Sequence, residues 1–183
     1  SNEETTLPAK YKIIKGSIIG PNVNLKNADL KYADLSGINF QNADLTGADL
    51  TGASLTGADL TGVNLTGVKS GSLYYGTPKA LPTKYGIFKS DEIYYIIGPG
   101  VDLQGADLSG ADLSSANLTG VRTGGVKSNE ETTLPAKYKI IIGYIIGPNV
   151  DLEDAALSGF DLSGVDLSSA NLTGVYSRSV KSN

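Results

Sequence analysis

A period of five residues constrains the fold of this chain more than any other feature. An apolar residue, almost always Leu, recurs at every fifth position of three tracts, residues 23–67, 101–120 and 150–174. A small or branched apolar residue precedes it by two positions, as Ala48 precedes Leu50. This spacing matches neither the period of about 3.6 of an α-helix nor the period of about 2 of a β-strand. It therefore indicates a solenoid of stacked repeats.

The recurring apolar residues are predicted to point into the solenoid. Asp or Asn, Thr or Ser, and Gly occupy the positions between them and are expected to face water. Two inward side chains per repeat leave a narrow interior, so Ala is needed where Leu already fills the space. The predicted inward positions are Leu25, Leu30, Leu35, Phe40, Leu45, Leu50, Leu55, Leu60, Leu65, Leu103, Leu108, Leu113, Leu118, Leu152, Leu157, Leu162, Leu167 and Leu172.

The residues 43–52 read Ala-Asp-Leu-Thr-Gly twice. This motif resembles the pentapeptide-repeat family, whose unit is Ala-(Asp/Asn)-Leu-X-X. The resemblance implies an all-β fold, a right-handed quadrilateral β-helix with one pentapeptide per side and four per coil. Residues twenty apart are then expected to stack. The predicted stacks are Asn24 with Asp44 and Asn64, Asp29 with Asp49, Asp34 with Ser54, and Asn39 with Asp59.

A second, longer repeat separates the tracts. Leu-Pro-Ala-Lys-Tyr-Lys-Ile-Ile occurs at 7–14 and again at 134–141, with a looser copy at 81–88, and each copy leads into Ile-Ile-Gly-Pro. These segments predict β-hairpins, with two-residue turns at Lys15-Gly16 and Ile142-Gly143 and a longer tip at Lys89 to Glu92. The hairpins are expected to pack on coils, where they either cover exposed solenoid ends or bind the next module.

The two repeats together predict six segments. They are a connector hairpin at 1–22, tract one at 23–72, a hairpin at 73–100, tract two at 101–125, a hairpin at 126–149, and tract three with the start of another connector at 150–183. Residues 1–14 are identical to residues 128–141. This identity suggests the hypothesis that the chain is an excerpt from a longer tandem array.

The composition argues against catalysis. The chain has no His and no Cys, so the usual general base, thiolate nucleophile and most common metal ligands are missing. No catalytic residue, cofactor site, metal site or small-molecule substrate is predicted. Loose Ca²⁺ binding at Asp151, Glu153 and Asp154 stays open, although their spacing matches no calcium loop. No apolar run reaches the roughly 18 residues of a membrane-spanning helix.

Charge is segregated along the chain and leaves two hypotheses for its role. The stretches with the five-residue period, residues 23–67, 101–120 and 150–174, hold thirteen carboxylates against two lysines, whereas the rest of the chain is basic. The first hypothesis is a non-catalytic structural protein, a rod-like segment that binds copies of itself end to end or side by side, without nucleic acid, in an extracellular filament, matrix or cell-surface layer. The alternative follows from the resemblance to the pentapeptide-repeat family, some members of which resemble B-form DNA in shape and charge. It is an acidic DNA mimic that acts on a type II topoisomerase such as gyrase, in the cytoplasm.

Overall fold

The computed structural model describes residues 6–71, 73, 76–91 and 93–182. These residues form an all-β structure without helices, so none of them belongs to a helix that could cross a membrane. Its six strands make three antiparallel hairpins, and the chain between the hairpins winds into stacked coils. The strands are β1 (Lys12–Ile14), β2 (Ser17–Ile19), β3 (Gly86–Ser90), β4 (Ile93–Ile97), β5 (Lys139–Ile141) and β6 (Tyr144–Ile146).

Isolated parallel bridges join the coils at the spacing that the sequence predicts. Every predicted stack is confirmed, because Asn24 bridges to Asp44 and Asp44 to Asn64, and the other three pairs also meet. Residues that form bridges recur every five positions along this part of the chain, and each of these bridges joins two residues that are twenty positions apart. Four repeats therefore complete one coil of twenty residues. The tracts therefore form a β-helix-type solenoid.

Backbone hydrogen bonds between coils account for the regularity of the stack. The Leu25 amide donates to the Asp44 carbonyl (2.7 Å), and the Asp44 amide donates to the Val23 carbonyl (2.9 Å). Within the coil, the Ala28 amide donates to the Leu25 carbonyl (3.1 Å) and closes the corner between two sides. Of these three hydrogen bonds only the last lies within one coil, so each coil depends on its neighbours for the other two.

The fifth residue of the repeat lies in the left-handed region, which explains why Gly and Asn recur there. Gly52 has φ +69°, and Tyr32, twenty residues earlier, has φ +57°. A Cβ atom on Gly52 would clash with the Tyr32 ring. Glycine is therefore favoured at position 52 for two reasons, the positive φ and the lack of space for a Cβ atom beside the Tyr32 ring. The sequence reasoning placed these glycines at the surface without recognising the backbone conformation that requires them.

The predicted inward side chains form the core, except at one end. Leu162 and Leu167 are only half-buried, and Leu172 is exposed. Leu172 belongs to the last coil, residues 170–182, and no described residue stacks over it. The buried members are Leu25, Leu30, Leu35, Phe40, Leu45, Leu50, Leu55, Leu60, Leu65, Leu103, Leu108, Leu113, Leu118, Leu152 and Leu157.

The hairpins match the predicted turns at both ends and differ in the middle. Lys15 (φ 49°) with Gly16 and Ile142 (φ 45°) with Gly143 form two-residue turns with positive φ at both positions, as predicted. The prediction of a longer tip between β3 and β4 is wrong. These strands extend to Ser90 and Ile93, so Lys89 and Ser90 pair across the hairpin and lengthen it, while Glu92 of the predicted tip lies outside the described residues.

Coil formation also continues into segments that the sequence assigns to connectors. Ala80 bridges to Asp59, and Lys127 bridges to Asp107. The Gly57 amide donates to the Thr77 carbonyl (3.0 Å). Backbone pairing needs no particular side chain. Segments without the five-residue motif can therefore complete a coil.

Candidate assembly interface

Each internal hairpin is a two-sided layer between two stacks of coils. Successive side chains of a strand point to opposite faces. In β4, Tyr94 and Ile96 pack against the core that contains tract one, whereas Tyr95 and Ile97 pack against the core of tract two. The hairpin therefore joins one stack to the next and does not merely close an end.

The β5–β6 hairpin repeats this arrangement at the second junction. Ile140 and Ile145 face the core of tract two, whereas Ile141 and Ile146 face the core of tract three. Both internal junctions thus have the same construction, in which each hairpin carries one apolar face for the preceding stack and one for the following stack.

A buried hydroxyl marks each junction. Ser70 and Thr123 stand five residues after Leu65 and Leu118, where the repeat would place another Leu, and both are buried. These two residues were not predicted from the sequence. The signal for them is that each follows a Leu-Thr-Gly-Val segment by two residues, at equivalent positions of the two tracts. A polar group at an inward position requires a hydrogen-bonding partner.

The partner of each hydroxyl is the second strand of the following hairpin. Ser70 Oγ donates to the Ile96 carbonyl (2.7 Å). Thr123 Oγ1 donates to the Ile145 carbonyl (3.4 Å) and accepts from the Ile145 amide (3.1 Å). Alternate residue pairs of a hairpin direct their backbone groups outward, away from the partner strand. The hydroxyls thus satisfy polar groups that the hairpin itself leaves free.

We predict that Ser70→Ala destabilises the first junction by about 1–3 kcal/mol, because it leaves the buried Ile96 carbonyl without its donor. The free energy of unfolding, measured by chemical denaturation, checks this. Ser70→Thr should retain the stability, since Thr123 occupies the equivalent position. Ser115→Ala, at an exposed position, should stay within about 0.5 kcal/mol of the parent. Equal losses for Ser70→Ala and Ser115→Ala would contradict the role of the hydroxyl.

The backbone ladder of the coils continues through both junctions. At the first, the Asp102 amide donates to the Val68 carbonyl (3.0 Å), and the Gly67 amide donates to the Gly100 carbonyl (2.6 Å). At the second, the Asp151 amide donates to the Val121 carbonyl (3.0 Å). Along this side of the solenoid, bridges connect Asp49, Lys69, Asp102, Arg122, Asp151 and Asn171 in succession. The inserted hairpins therefore leave the stack uninterrupted.

A tyrosine holds the exit of each hairpin. The hydroxyl of Tyr85 donates to the Pro99 carbonyl (2.7 Å), and the Tyr85 ring would clash with a Cβ atom on Gly98. This contact explains the Gly of the Ile-Ile-Gly-Pro motif, because any side chain there would displace the ring. The same pairs recur as Tyr11 with Pro21 (3.2 Å) and Tyr138 with Pro148 (2.9 Å).

The carboxylates of the repeat have a structural role that the sequence analysis did not assign to them. Asp44 Oδ1 accepts a hydrogen bond from the amide of Thr46, two residues later (3.0 Å), and from its hydroxyl (2.5 Å). The hydroxyl and then the backbone hydrogen bond lower the pKa of Asp44. Asn24 and other residues at this repeat position accept in the same way. The Asp or Asn thus fixes each corner of the coil.

Comparison with protein families identifies the repeat. The model of pentapeptide repeats matches in eight copies, over residues 21–47, 28–67, 99–122 and 149–176, which together cover more than half of the chain. The chain belongs to the pentapeptide-repeat family. No curated protein matches this pentapeptide-repeat chain.

Solved structures of other pentapeptide-repeat proteins resemble the chain weakly. Trypsin-treated QnrB1, a plasmid-mediated fluoroquinolone resistance protein, is 15% identical, with 89% of this chain and 79% of that chain covered and a TM-score of 0.33. HetL, involved in heterocyst differentiation regulation in the cyanobacterium Nostoc sp. strain PCC 7120, is 24% identical, with coverage of 84% and 72% and a TM-score of 0.27. These TM-scores are too low to support an argument about function.

Lysines offset much of the negative charge on the pentapeptide coils. Asp29 and Asp49 are the two carboxylates that stack directly, and Lys15 lies 3.4 Å from the first and Lys31 lies 3.2 Å from the second. Lys26 similarly contacts Asp44 on the next coil (3.3 Å). The solenoid therefore presents mixed charge on this part of its surface, where the sequence suggested acidic coils.

The carboxylates are also expected to make the stability of the pentapeptide coils depend on pH. The pKa of Asp112 is lowered to about 2, first by a hydrogen bond from the Thr133 hydroxyl and then by those from the hydroxyl and amide of Ser114. The pKa of Asp166 is also lowered to about 2, first by the hydroxyl and amide of Ser168 and then by Lys137. Because the folded-state pKa lies below the usual Asp value of 3.8, the ionised form stabilises the fold above that value. This stabilisation is lost as the pH falls towards about 2.

We therefore predict a melting temperature that is nearly constant from pH 7 to about 5 and falls between about pH 4 and 2. Thermal unfolding followed by circular dichroism measures it. Asp112→Asn keeps an oxygen for the corner hydrogen bond and removes the titration, so its melting temperature should fall less over the same interval. An unchanged pH profile in Asp112→Asn would contradict the role of the Asp112 carboxylate.

The residues considered for Ca²⁺ do not converge on one point. Asp151 Oδ1 accepts from the Glu153 amide (3.0 Å) and from Asn171 Nδ2 (2.9 Å), and Asp154 lies at a corner with φ 58°. The described part of the chain contains no group of three acidic, His or Cys residues that could hold a metal ion. The hollow of about 660 Å³ beside Tyr32 is lined mainly by small and hydroxyl side chains. It brings together no acid–base pair.

Proposed function

We propose that this chain is a non-catalytic structural protein, a rod-like segment that associates with copies of itself. The continuous backbone ladder through both internal junctions is the observation that most supports this proposal. Because the hairpins are inserted without interrupting the stack, modules add lengthwise, and length is what a filament or matrix component requires. The right-handed quadrilateral winding and the six segments inferred from the sequence belong to the same proposal.

The absence of a convergent site in the described residues fits this role. The buried hydroxyls hold hairpins, and the carboxylates hold corners, so the polar groups that the structure brings together serve the fold. We place the protein in an extracellular filament, matrix or cell-surface layer. Surface labelling of intact cells with an antibody against the chain tests this location, and labelling only after lysis would contradict it.

The alternative, an acidic DNA mimic that acts on a type II topoisomerase, rests on exposed carboxylates such as Asp34 and Asp161, which recur along the coils. Several others pair with lysines, including Asp107 with Lys127 (3.9 Å). This pairing reduces the uniform negative charge that a DNA mimic requires. The structural role therefore has more support.

Two kinds of experiment on the purified chain distinguish the two functions. Electron microscopy and sedimentation measure self-association, and a gyrase supercoiling assay measures any effect on the topoisomerase. The structural proposal predicts particles that lengthen with protein concentration and leave gyrase activity unchanged. Particles of constant size combined with inhibition or protection of gyrase would overturn it and favour the alternative. A heat-denatured sample of the same chain, assayed in the same neutral buffer, controls for effects of unfolded protein.

A further inference from the structure

We propose that the β1–β2 hairpin of one copy docks on the last coil of a second copy, head to tail. This inference rests on the proposed self-association and specifies its interface. The head face consists of Ile13 and Ile18, and the tail coil consists of residues 170–182. The two internal junctions supply the geometry, because their hairpin face, covered Leu, junction hydroxyl and backbone donors each have a counterpart at the head or the tail.

The head face is the apolar side of the β1–β2 hairpin. The equivalent faces of the β3–β4 and β5–β6 hairpins are covered by a preceding stack of coils, whereas the head face is not. Ile14 and Ile19 pack on tract one, so Ile13 and Ile18 face the other way. Ile18 is 51% exposed and Ile13 is 54% exposed. The residues equivalent to Ile18 are Ile96 and Ile145, and both are 0% exposed because a preceding stack covers them.

The tail coil carries the complementary surface. Leu172 is 47% exposed, whereas its equivalents before the internal hairpins, Leu65 and Leu118, are 0% and 1% exposed. Ser177 follows Leu172 by five residues and so occupies the position of the junction hydroxyls. It is exposed, and no described residue forms a hydrogen bond with its side chain. The tail therefore has an apolar surface and a hydroxyl of the kind that holds a hairpin elsewhere.

Backbone groups at the two ends also correspond to those that meet at the internal junctions. The amides of Asn24 and Gly174 have no acceptor among the described residues. Their equivalents at the first junction, Asp102 and Gly67, donate to carbonyls across the joint (3.0 and 2.6 Å). Stacking of two copies would give the same hydrogen bonds between chains. In the same way, the Ser177 hydroxyl would reach the Ile18 carbonyl of the second copy.

This contact joins different surfaces, so it is heterologous and repeats along an open filament. The contact between copies lacks the pair of opposite charges that each internal junction contains. The bridges Lys69–Asp102 and Arg122–Asp151 pair opposite charges, whereas the corresponding pair between copies is Tyr176 with Asn24. Without an ion pair at that position, association should depend on apolar contact and persist at about 0.5 M salt, where surface charges are strongly screened.

Two variants that each block one end test the proposal. Ile18→Lys places a charge on the head face, and Leu172→Lys places one on the tail coil. Both residues are partly exposed, so the monomer is expected to fold, and circular dichroism checks this. Ile142→Lys is the matched control, because Ile142 is exposed at a hairpin turn, away from the head face, and stands where the first hairpin has Lys15.

Sedimentation over a range of concentrations is expected to show open-ended association of the parent and of Ile142→Lys. Each end-blocked variant should associate at least about a hundredfold more weakly, because it loses a buried apolar contact and gains a buried charge. A mixture of Ile18→Lys and Leu172→Lys should nevertheless form one-to-one dimers, since each variant retains one intact end.

The outcomes separate this interface from the broader function. If the parent associates and both blocked variants associate equally well, the head-to-tail contact is wrong while structural self-association stands. Loss of dimers in the mixture would likewise overturn the heterologous contact. If the parent stays monomeric at every concentration and no rods are visible, both this inference and the proposed function fail.

Discussion

Leu50→Lys is expected to unfold the first stack of coils. Leu50 is completely buried in the tract-one core. An ammonium group in this interior would have neither water nor a counter-ion, which costs several kcal/mol. The loss is comparable to the whole stability of an ordinary domain, about 5–15 kcal/mol. Thermal and chemical denaturation followed by circular dichroism should show a strongly lowered transition or none at physiological temperature.

Leu172→Lys provides the matched comparison for Leu50→Lys, because the same substitution falls on a repeat position that is half-exposed. Its ammonium group can reach water, so the monomer should lose about 1 kcal/mol or less. Measurement at low protein concentration separates this effect from any association. A melting temperature for Leu50→Lys equal to that of the parent would show that the Leu positions do not face a dry interior.

Ala48→Leu is expected to have the second-largest effect, through overpacking. Ala48 is fully buried beside Leu50, and its backbone participates in the ladder through the bond from the Lys69 amide to its carbonyl (3.1 Å). Three added carbon atoms would push adjacent sides of the coil apart and strain these hydrogen bonds. We predict a loss of about 1–3 kcal/mol in the free energy of unfolding, or more if the coil cannot expand.

Thr51→Ser is the control for Ala48→Leu, since it retains the hydroxyl and the Thr51 amide that donates to Asp49 Oδ1 (3.0 Å). Its free energy of unfolding should stay within about 0.5 kcal/mol of the parent. Chemical denaturation at neutral pH compares both variants. A stable Ala48→Leu with an intact transition would mean that the interior has space beside each Leu, contrary to the packing described above.

The Asp residues illustrate how far the sequence could be interpreted. Their spacing, together with the coil of twenty residues that the family resemblance implies, predicted correctly which of them stack. Their role as acceptors for the amide two residues later was not predicted, although Asp and Asn are known to favour such turns. The lysines that contact Asp29 and Asp49 come from a hairpin turn and a neighbouring coil, and only the folded chain brings them together.

The sequence by itself determined the solenoid, because a five-residue period with Ala two positions before each Leu buries its apolar side chains when the repeats stack, and the resemblance to the pentapeptide-repeat family implied four repeats per coil. It also determined the two-residue turns at Lys15-Gly16 and Ile142-Gly143, since turn chemistry is local. Only the tertiary structure decided how the hairpins join the stacks. The hydroxyl of Ser70 and the carbonyl of Ile96 are 26 residues apart in the chain, and their contact depends on the packing of both faces of the hairpin.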